Sequence, residues 1–172
     1  MFRSVDHALR FAYQMNSIDI VKLSSINSMY KSTWPDAHNK LPNDLLEGLS
    51  PQERTMQAEC ILRVVDELSR ESEREFIKAM YGRNFDDQTM SKLLDIVMFA
   101  LGSGFHRVRG VRCLILTYFG VKISHQDIRE AFQCGNSKVS GMKEKVYDVL
   151  DQMNDRAHAE LNLILRDKKL VA

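Results

Sequence analysis

The fold of this chain is decided by one stretch, Gly120-Val-Lys-Ile-Ser-His-Gln-Asp-Ile-Arg-Glu-Ala-Phe-Gln-Cys-Gly-Asn-Ser-Lys-Val-Ser-Gly-Met-Lys-Glu-Lys-Val146. Ser124 is a favourable N-cap, and Asp127 places an acid in the first turn that would follow it. Three apolar residues then share one face at helical spacing: Ile128, Ala131 and Phe132. A helix is therefore expected to begin at Ser124.

A tight turn is expected after this helix, at Gln133-Cys-Gly-Asn136. Gly135 and Asn136 tolerate the positive φ that a tight turn needs, and Asn136 or Ser137 can cap the helix that follows. Helical spacing then resumes in the apolar residues, which fall three and four apart: Val139, Met142 and Val146. The stretch thus predicts helix, turn and helix over about residues 124–147.

The outward positions of the second helix are small or basic, as an element that enters a DNA major groove requires. Together with the turn residue before them they are Asn136, Ser137, Lys138, Ser140, Gly141, Lys143 and Lys145. The hypothesis is a helix-turn-helix unit that binds double-stranded DNA through its second helix. The alternative is two ordinary helices of an all-α core, joined by a tight turn.

The net charge of the whole chain is +1 and does not indicate a nucleic-acid partner, but the distribution of charge does. Residues 1–100 carry 12 Lys and Arg against 15 Asp and Glu, whereas residues 101–172 carry 12 against 8. A local positive excess steers a protein toward phosphate. Because of this local positive charge, four further residues are candidate DNA contacts: His125, Arg129, Arg107 and Arg109. An ordinary solvated face is the alternative explanation.

The rest of the chain predicts further helices, so the expected fold class is all-α, a multi-helix bundle containing a C-terminal helix-turn-helix. Residues 4–15 form a short amphipathic stripe. Residues 16–50 lack periodicity and are expected to form a polar arm or loop. The predicted domains are residues 1–50, an N-terminal helix with this arm, and residues 51–172, a helical domain.

The helical domain opens with a strong start signal, in which Ser50 is the N-cap, Pro51 lies in the first turn and Glu53 is the capping-box partner. Apolar residues predict that the buried stripe of this helix includes Met56 and Cys60. Further helices are expected over these approximate ranges, with Gly82 as the C′ residue of the first: 69–82, 86–101 and 106–119.

Apolar residues continue beyond Val146 at intervals of three or four: Val149, Leu150, Met153, Ala157, Leu161 and Ile164 or Leu165. The second helix of the unit therefore extends, or hands over near Asn154 to a last helix. This C-terminal stripe either pairs two copies in a homodimer, as helix-turn-helix proteins often require, or packs on the chain's own core.

A weak internal repeat with a 38-residue period relates two helix junctions. Phe76-Ile-Lys-Ala-Met-Tyr-Gly-Arg-Asn-Phe-Asp-Asp-Gln-Thr-Met90 aligns with Leu114-Ile-Leu-Thr-Tyr-Phe-Gly-Val-Lys-Ile-Ser-His-Gln-Asp-Ile128. In each copy an apolar helix ends in an aromatic residue and glycine, and a new helix starts at a capping residue, Asp86 or Ser124. Only the second copy carries a Gly-Asn turn further on. Convergence on one helix–turn design is the alternative to a true repeat.

The sequence contains no pattern typical of an enzyme or a metal site, such as a glycine-rich phosphate loop or a metal-ligand spacing. The three cysteines, Cys60, Cys113 and Cys134, are odd in number and far apart, which does not fit a disulfide framework. Cys60 and Cys113 are expected to be buried. Without a recognisable signal peptide or membrane span, we expect a cytoplasmic protein that is not an enzyme and uses no cofactor, metal or membrane.

Two segments resemble known transcription regulators. Val65-Asp-Glu-Leu-Ser-Arg-Glu-Ser-Glu-Arg-Glu-Phe-Ile-Lys-Ala-Met-Tyr-Gly82 resembles the helix that leads into sigma-factor region 4, although residues 86–119 intervene here before the predicted unit. The segment from Tyr118-Phe-Gly120 through Gln133-Cys-Gly-Asn-Ser-Lys-Val139 is similar to the shorter phage late-gene antitermination (Q-type) proteins, which also place a Cys in the turn. The resemblance implies a phage or prophage transcription regulator that binds DNA, with RNA polymerase as a further partner.

The competing hypothesis is a protein-interaction adapter that acts on RNA polymerase or another regulator. In that hypothesis the acidic residues 66–75 or the polar arm bind the partner, and the helix-turn-helix is only structural. The two hypotheses differ at Lys138 and Lys143, because neutralising both is expected to weaken DNA binding only if the second helix reads DNA.

Overall fold

The computed structural model describes residues 2–23, 49–83, 85–102 and 107–171, with the side chains of residues 17–23 outside the description. In this part of the chain the fold class is all-α, as predicted. The helices are α1 (Val5–Leu23), α2 (Pro51–Asp66), α3 (Glu71–Gly82), α4 (Asp87–Leu101), α5 (Val108–Tyr118), α6 (His125–Phe132) and α7 (Asn136–Asp167).

The helices belong to two compact units. The first unit comprises Met1–Glu67 and His158–Ala172, and the second comprises Leu68–Ala157. The division falls within α7, whose last residues belong to the first unit.

In the first unit α1 packs on α2. Phe2 ties the two ends of this unit together, because its backbone N–H donates to the Leu170 carbonyl at 2.8 Å and it forms a parallel bridge with Val171. The Phe2 ring also packs on Phe11, with 5.1 Å between ring centroids. Small and branched side chains complete the core: Val5, Ala8, Leu9, Ala12, Ala58, Ile61, Val64, Val65, Leu161 and Leu165.

The first helix is longer than predicted. The sequence pattern suggested an end at residue 15, but α1 continues to Leu23, since residues 16–23 contain no proline or glycine that would stop it. The remainder of the predicted polar arm, from residue 24 to residue 48, lies outside the described residues.

The predicted start of α2 is confirmed. The Ser50 side chain accepts a hydrogen bond from the Glu53 N–H, and the Glu53 carboxylate accepts one from the Ser50 N–H at 2.7 Å, which completes a capping box. The predicted burial of Met56 and Cys60 is wrong. These residues are four apart on the outward face of α2, and Met56 is 65% exposed, because the core face is set by Ile61 and Val65 instead.

In the second unit α3 packs on α4, α4 packs on α5, and α5 packs on α6. Its core is built of large apolar side chains, mainly Leu68, Phe76, Ile77, Met90, Leu93, Val97, Val111, Leu114, Ile115, Ile128, Phe132, Val139, Val146, Leu150 and Met153. Two carboxylates are also buried. Glu73 is 1% exposed and accepts a hydrogen bond from Arg156 Nε of α7 at 2.9 Å, and Glu75 is 8% exposed and accepts one from the Thr89 hydroxyl at 3.3 Å. A buried carboxylate requires such a partner.

The boundaries of two further helices differ slightly from the prediction. α3 begins at Glu71 rather than at Ser69, and Gly82 is its last helical residue rather than the residue beyond it. The left-handed conformation falls on Arg83, with φ of 50°, because the helix continues one residue further than the glycine suggested. α5 begins at Val108 rather than near residue 106.

The C-terminal apolar stripe packs inside the chain. α7 runs as a single helix without a change near residue 154. Its apolar residues contribute to the cores of both units and are inaccessible: Val146, Leu150, Met153, Ala157, Leu161 and Leu165. Of the two alternatives for this stripe, packing on the chain's own core is therefore the one observed.

Candidate nucleic-acid interface

The second unit ends in two helices, α6 and α7, joined by a very short connection. The predicted N-cap of α6 is confirmed, because the Ser124 Oγ accepts a hydrogen bond from the Asp127 N–H at 3.1 Å. Ile128 and Phe132 point into the core, 4% and 1% exposed. α6 is only eight residues long, so capping and burial of this apolar pair account for its stability more than helix length does.

The connection between α6 and α7 is built differently from the prediction. The positive φ was expected at Gly135 or Asn136, but it falls on Gln133, with φ of 48°. The reason is that α6 closes directly after Phe132, where the Gln133 N–H bonds to the Glu130 carbonyl. Asn136 is not a cap but already the first residue of α7.

α5 holds the end of α6 in two ways. Gly110 of α5 lies against the Phe132 ring, so closely that a β-carbon there would be 2.6 Å from the ring. The Arg107 guanidinium donates to the Phe132 carbonyl and to Gln133 Oε1, and thereby satisfies the free carbonyl end of α6. Arg107, a candidate DNA contact, is thus bound to the turn, whereas the neighbouring candidate Arg109 is exposed.

A surface depression lies between α6 and α7, with a volume of about 880 Å³. It brings together five of the candidate residues: His125, Arg129, Asn136, Ser140 and Lys143. The other wall residues are Gln126, Glu130, Gln133, Cys134, Gly135 and Val139. The remaining candidates lie outside it: Ser137, Lys138, Gly141, Lys145, Arg107 and Arg109.

The residues of α7 are sorted around its axis by size and charge. Successive helical residues are about 100° apart, so Ser137 and Gly141 lie opposite the buried Val139 and Val146. No atom outside the local helix comes within 4 Å of a β-carbon at Gly141. One flank of this central strip carries Lys138 and Lys145, and the other carries Asn136, Ser140 and Lys143. The exposed Glu144 lies beside Ser137 on the strip itself.

The basic side chains of this region are largely without carboxylate partners. Five of them form no ion pair with any residue in the described part of the chain: Arg109, Lys122, Arg129, Lys138 and Lys143. Elsewhere in the same unit, Lys92 of α4 pairs with Glu71 at 2.8 Å and Arg156 pairs with Glu73 at 2.9 Å. Within the second unit, the cations without an ion pair to a described residue therefore lie on α6, in the first turns of α7, at the start of α5 and in the segment between α5 and α6.

Lys143 is held by an aromatic ring rather than by an acid. Its Nζ lies 5.0 Å from the centroid of the Tyr147 ring, a cation–π contact one helical turn along α7. The Tyr147 ring packs edge-on against Tyr118 of α5, with 5.1 Å between centroids. Tyr118 in turn donates a hydrogen bond to Asp151 Oδ1 at 2.6 Å. Burial, with the Asp151 carboxylate as a second cause, raises the pKa of Tyr118, and burial alone raises the pKa of Tyr147.

The basic character of α7 ends within its first three turns. Beyond Lys145 the exposed side of the helix carries Asp148, Asp151 and Asp155 in place of lysines. Phosphate would be repelled there, so an anionic partner is restricted to the first turns of α7, next to α6.

No group of three or more His, Cys, Asp or Glu residues in the described ranges is arranged to hold a metal ion. None of the helices described in the structure combines the length and the hydropathy needed to cross a bilayer.

Sequence reasoning missed three residues that shape this region: Gly110, Tyr147 and Gln133. A glycine in the middle of a predicted helix was a usable signal for close packing at Gly110. The contact between Lys143 and Tyr147 could have been found from their spacing of four residues. Gln133 lay within the predicted turn, but its positive φ was missed because glutamine is not a residue that usually adopts positive φ.

The chain matches no protein-family model, no curated protein and no solved structure.

Proposed function

We propose that this protein is a sequence-specific DNA-binding transcription regulator in which α6 and α7 form a helix-turn-helix and the first turns of α7 enter the major groove. The observation that carries the proposal is the surface of α7, where the small residues Ser137 and Gly141 lie between Lys138 and Lys145 on one side and Lys143 on the other. Glu144 is the one acid in these first turns. A major groove about 12 Å wide accepts a helix whose leading edge is small, and its walls are lined by phosphates. Lys138 and Lys145 would then face one wall, and Lys143 the other.

The uncompensated charge supports the same proposal. Lys138, Lys143 and Arg129 form no ion pair with another described residue, so DNA binding would not require an internal salt bridge to break. Each lysine that neutralises a phosphate releases counterions, which favours binding at moderate salt. The Arg109 and Lys122 side chains would add to the long-range attraction.

Arg107 has a supporting role in this proposal. Its bonds to the Phe132 carbonyl and to Gln133 stabilise the turn between the two helices, so it sets the angle at which α7 is presented instead of contacting DNA itself. His125 and Asn136, at the rim of the depression, are the proposed contacts to the sugar-phosphate backbone.

The resemblance to sigma-factor region 4 and to phage late-gene antitermination proteins suggests the setting. A regulator of that type, encoded by a phage or prophage, would bind promoter-proximal DNA and contact RNA polymerase. This setting is proposed on the sequence segments alone.

The proposal is tested by selection from a library of random duplex DNA with the purified protein at near-physiological salt, followed by sequencing of the retained molecules. We expect an enriched motif. A single asymmetric motif would indicate one unit bound per site, and a palindrome would indicate two copies. Retention that depends on salt but enriches no motif would contradict sequence-specific recognition.

Matched lysine variants test which face is used. In Lys138→Gln with Lys143→Gln, affinity for the selected motif is expected to fall about tenfold or more, and the salt slope by about 1 to 2. Lys92→Gln is the control for the loss of a single lysine charge, because it removes one from α4, where the lysine is paired with Glu71. Unchanged affinity in a folded double variant would remove this face of α7 from the mechanism.

A protein-interaction adapter is the second candidate, and one observation favours it. Phe99, near the end of α4, is 90% exposed, although a phenylalanine is normally buried. Exposed aromatic residues are enriched at protein interfaces. If the library selection enriches no motif, an adapter that acts on RNA polymerase or another regulator through such a surface becomes the better explanation.

A further inference from the structure

We propose that Tyr147 is a positioning residue for DNA binding, which orients Lys143 toward a phosphate through the face of its ring. This inference rests on the proposed function, since it concerns how one lysine of the same surface is prepared for binding. Tyr147 itself lies two residues beyond Lys145, the last lysine of the basic part of α7, and was not among the candidate contacts.

The first step of the inference is the contact itself. Lys143 has a four-carbon side chain with many rotamers, and binding a phosphate would normally require these to be ordered. In the structure its Nζ already lies 5.0 Å from the Tyr147 ring centroid. A lysine restricted before binding loses less conformational entropy when the phosphate arrives, and so binds more tightly.

The second step is that the ring is itself fixed. Tyr147 packs edge-on against Tyr118, with an interplanar angle of 83°, and Tyr118 is hydrogen-bonded to Asp151. Tyr118 also packs against Phe76 and Phe119 in the interior of the second unit. The half-buried ring under Lys143 is therefore linked through Tyr118 to the core residue Phe76, and this packing restricts its orientation.

The third step is that the ring leaves the ammonium available. Lys143 lines the depression and makes no ion pair with a described residue. A cation–π contact uses one side of the ammonium group and neutralises no charge. The lysine therefore retains its full attraction for a phosphate while its direction is restricted.

The test compares Tyr147→Leu with Tyr147→Phe, measured as affinity for the selected DNA motif over a range of salt concentrations. Phe keeps the aromatic face, and the Tyr147 hydroxyl makes no hydrogen bond with a described residue, so Tyr147→Phe is expected to bind like the wild type. Tyr147→Leu is expected to bind about threefold to tenfold more weakly, the loss that corresponds to ordering one flexible side chain. Its salt slope is expected to stay unchanged, because Lys143 keeps its charge.

A double-variant cycle separates positioning from a general structural effect. In a Lys143→Gln background, Tyr147→Leu is expected to cause no further loss. A loss that persists there would show that Tyr147 acts independently of Lys143 and would overturn the inference. If Lys143→Gln alone leaves affinity and salt slope unchanged, the proposed DNA-binding face fails together with it; if only Tyr147→Leu is without effect, the inference fails and the proposed function stands.

A measurement on the wild type covers the case in which Tyr147→Leu does not fold. The Lys143 methylene protons near the ring are expected to show upfield ring-current shifts in the NMR spectrum of the free protein. Shifts at ordinary lysine values would mean that the ring does not hold the side chain in solution, and would overturn the inference.

Discussion

The α3–α4 junction and the α5–α6 junction follow the same backbone plan, but their side chains differ in chemistry. In each junction the second helix is capped by a side chain that accepts from the N–H three residues on: Asp86 from Thr89, and Ser124 from Asp127. Each first helix is followed by a residue with positive φ, Arg83 in one junction and Gly120 in the other. The weak repeat in the sequence thus corresponds to two similar helix junctions.

The difference lies in how charge is compensated. At the first junction Lys92 of α4 lies between Glu71 at 2.8 Å and Glu75 at 3.7 Å, so its charge is neutralised within the unit. At the second junction Arg129 of α6 has no such partner among the described residues. The two junctions have similar helices and caps, but the basic side chain is neutralised by carboxylates at the first junction and keeps its charge at the second.

The largest expected effect concerns the close approach that distinguishes the second junction. In the 38-residue register Gly110 and Phe132 correspond to Ser72 and Leu94, so the first junction has a β-carbon where the second has none, and a smaller side chain where the second has a ring. Gly110→Ala is expected to lower the free energy of unfolding by about 1–3 kcal/mol, because its new methyl group would overlap the Phe132 ring.

The matched control for this variant is Gly141→Ala. Gly141 has open space where a β-carbon would be placed, so alanine is expected to raise stability by about 1 kcal/mol through helix propensity. Urea denaturation of both variants checks the pair. Equal effects of the same sign would contradict the close packing of α5 on α6. If Gly141→Ala also leaves DNA binding intact, the glycine is not needed for close approach to DNA.

The next effect concerns Tyr118, which corresponds to Met80 in the first junction. Tyr118→Phe removes the hydrogen bond to Asp151 and is expected to cost about 1–2 kcal/mol of unfolding free energy at neutral pH. Met80 is 40% exposed, so Met80→Leu is expected to stay within about 0.5 kcal/mol. Unfolding experiments on both variants decide whether the second junction depends on this bond.

The cost of Tyr118→Phe is also expected to depend on pH. The raised pKa of Tyr118 means that the folded protein keeps the phenol proton where the unfolded chain releases it. The contribution of Tyr118 to the free energy of unfolding is therefore fully present below roughly pH 10, the ordinary tyrosine pKa, and decreases as the pH rises above that value. The difference between wild type and Tyr118→Phe should narrow in that range, and a constant difference would contradict the shifted pKa.

The smallest effect tests what the junctions share. Asp86→Ala and Ser124→Ala each remove an N-cap and are each expected to cost about 1 kcal/mol in thermal or chemical unfolding. Ser124→Asp, which keeps an acceptor, is the control and should remain close to wild type. If one of the two alanine variants loses about 1 kcal/mol of unfolding free energy and the other loses almost none, the two caps do not have the same role.

The parts of the structure that could be predicted from sequence are those set by local interactions. The caps at Ser50, Asp86 and Ser124 each depend on a side chain and a backbone group three residues apart, so their residue types were sufficient. The all-α class followed from apolar spacing for the same reason. Positive φ at Arg83 and Gln133 was not predictable, because it depends on where packing ends the helix rather than on residue preference.

For the candidate interface, the residues on the exposed face of α7 were predictable from the sequence, but the ion pairs and hydrogen bonds of the charged residues were not. The small and basic outward face of α7 follows from helical spacing alone. Whether each charge is compensated depends on contacts between helices, such as Arg107 with the end of α6 or Lys92 with α3, and no spacing rule gives these. The Lys143–Tyr147 contact was predictable in part. The spacing of four residues allows it, but the orientation of the Tyr147 ring depends on its packing against Tyr118 of another helix.

The contact between Gly110 and Phe132 also constrains how this fold can vary. Positions 110 and 132 cannot change independently, because a side chain gained on α5 has to be matched by volume lost on α6. Randomising both positions together and selecting for folded protein should return compensating pairs, with glycine opposite a large ring and alanine opposite a smaller aliphatic residue. Such paired substitutions would mark distant members of the same fold after overall sequence similarity has been lost.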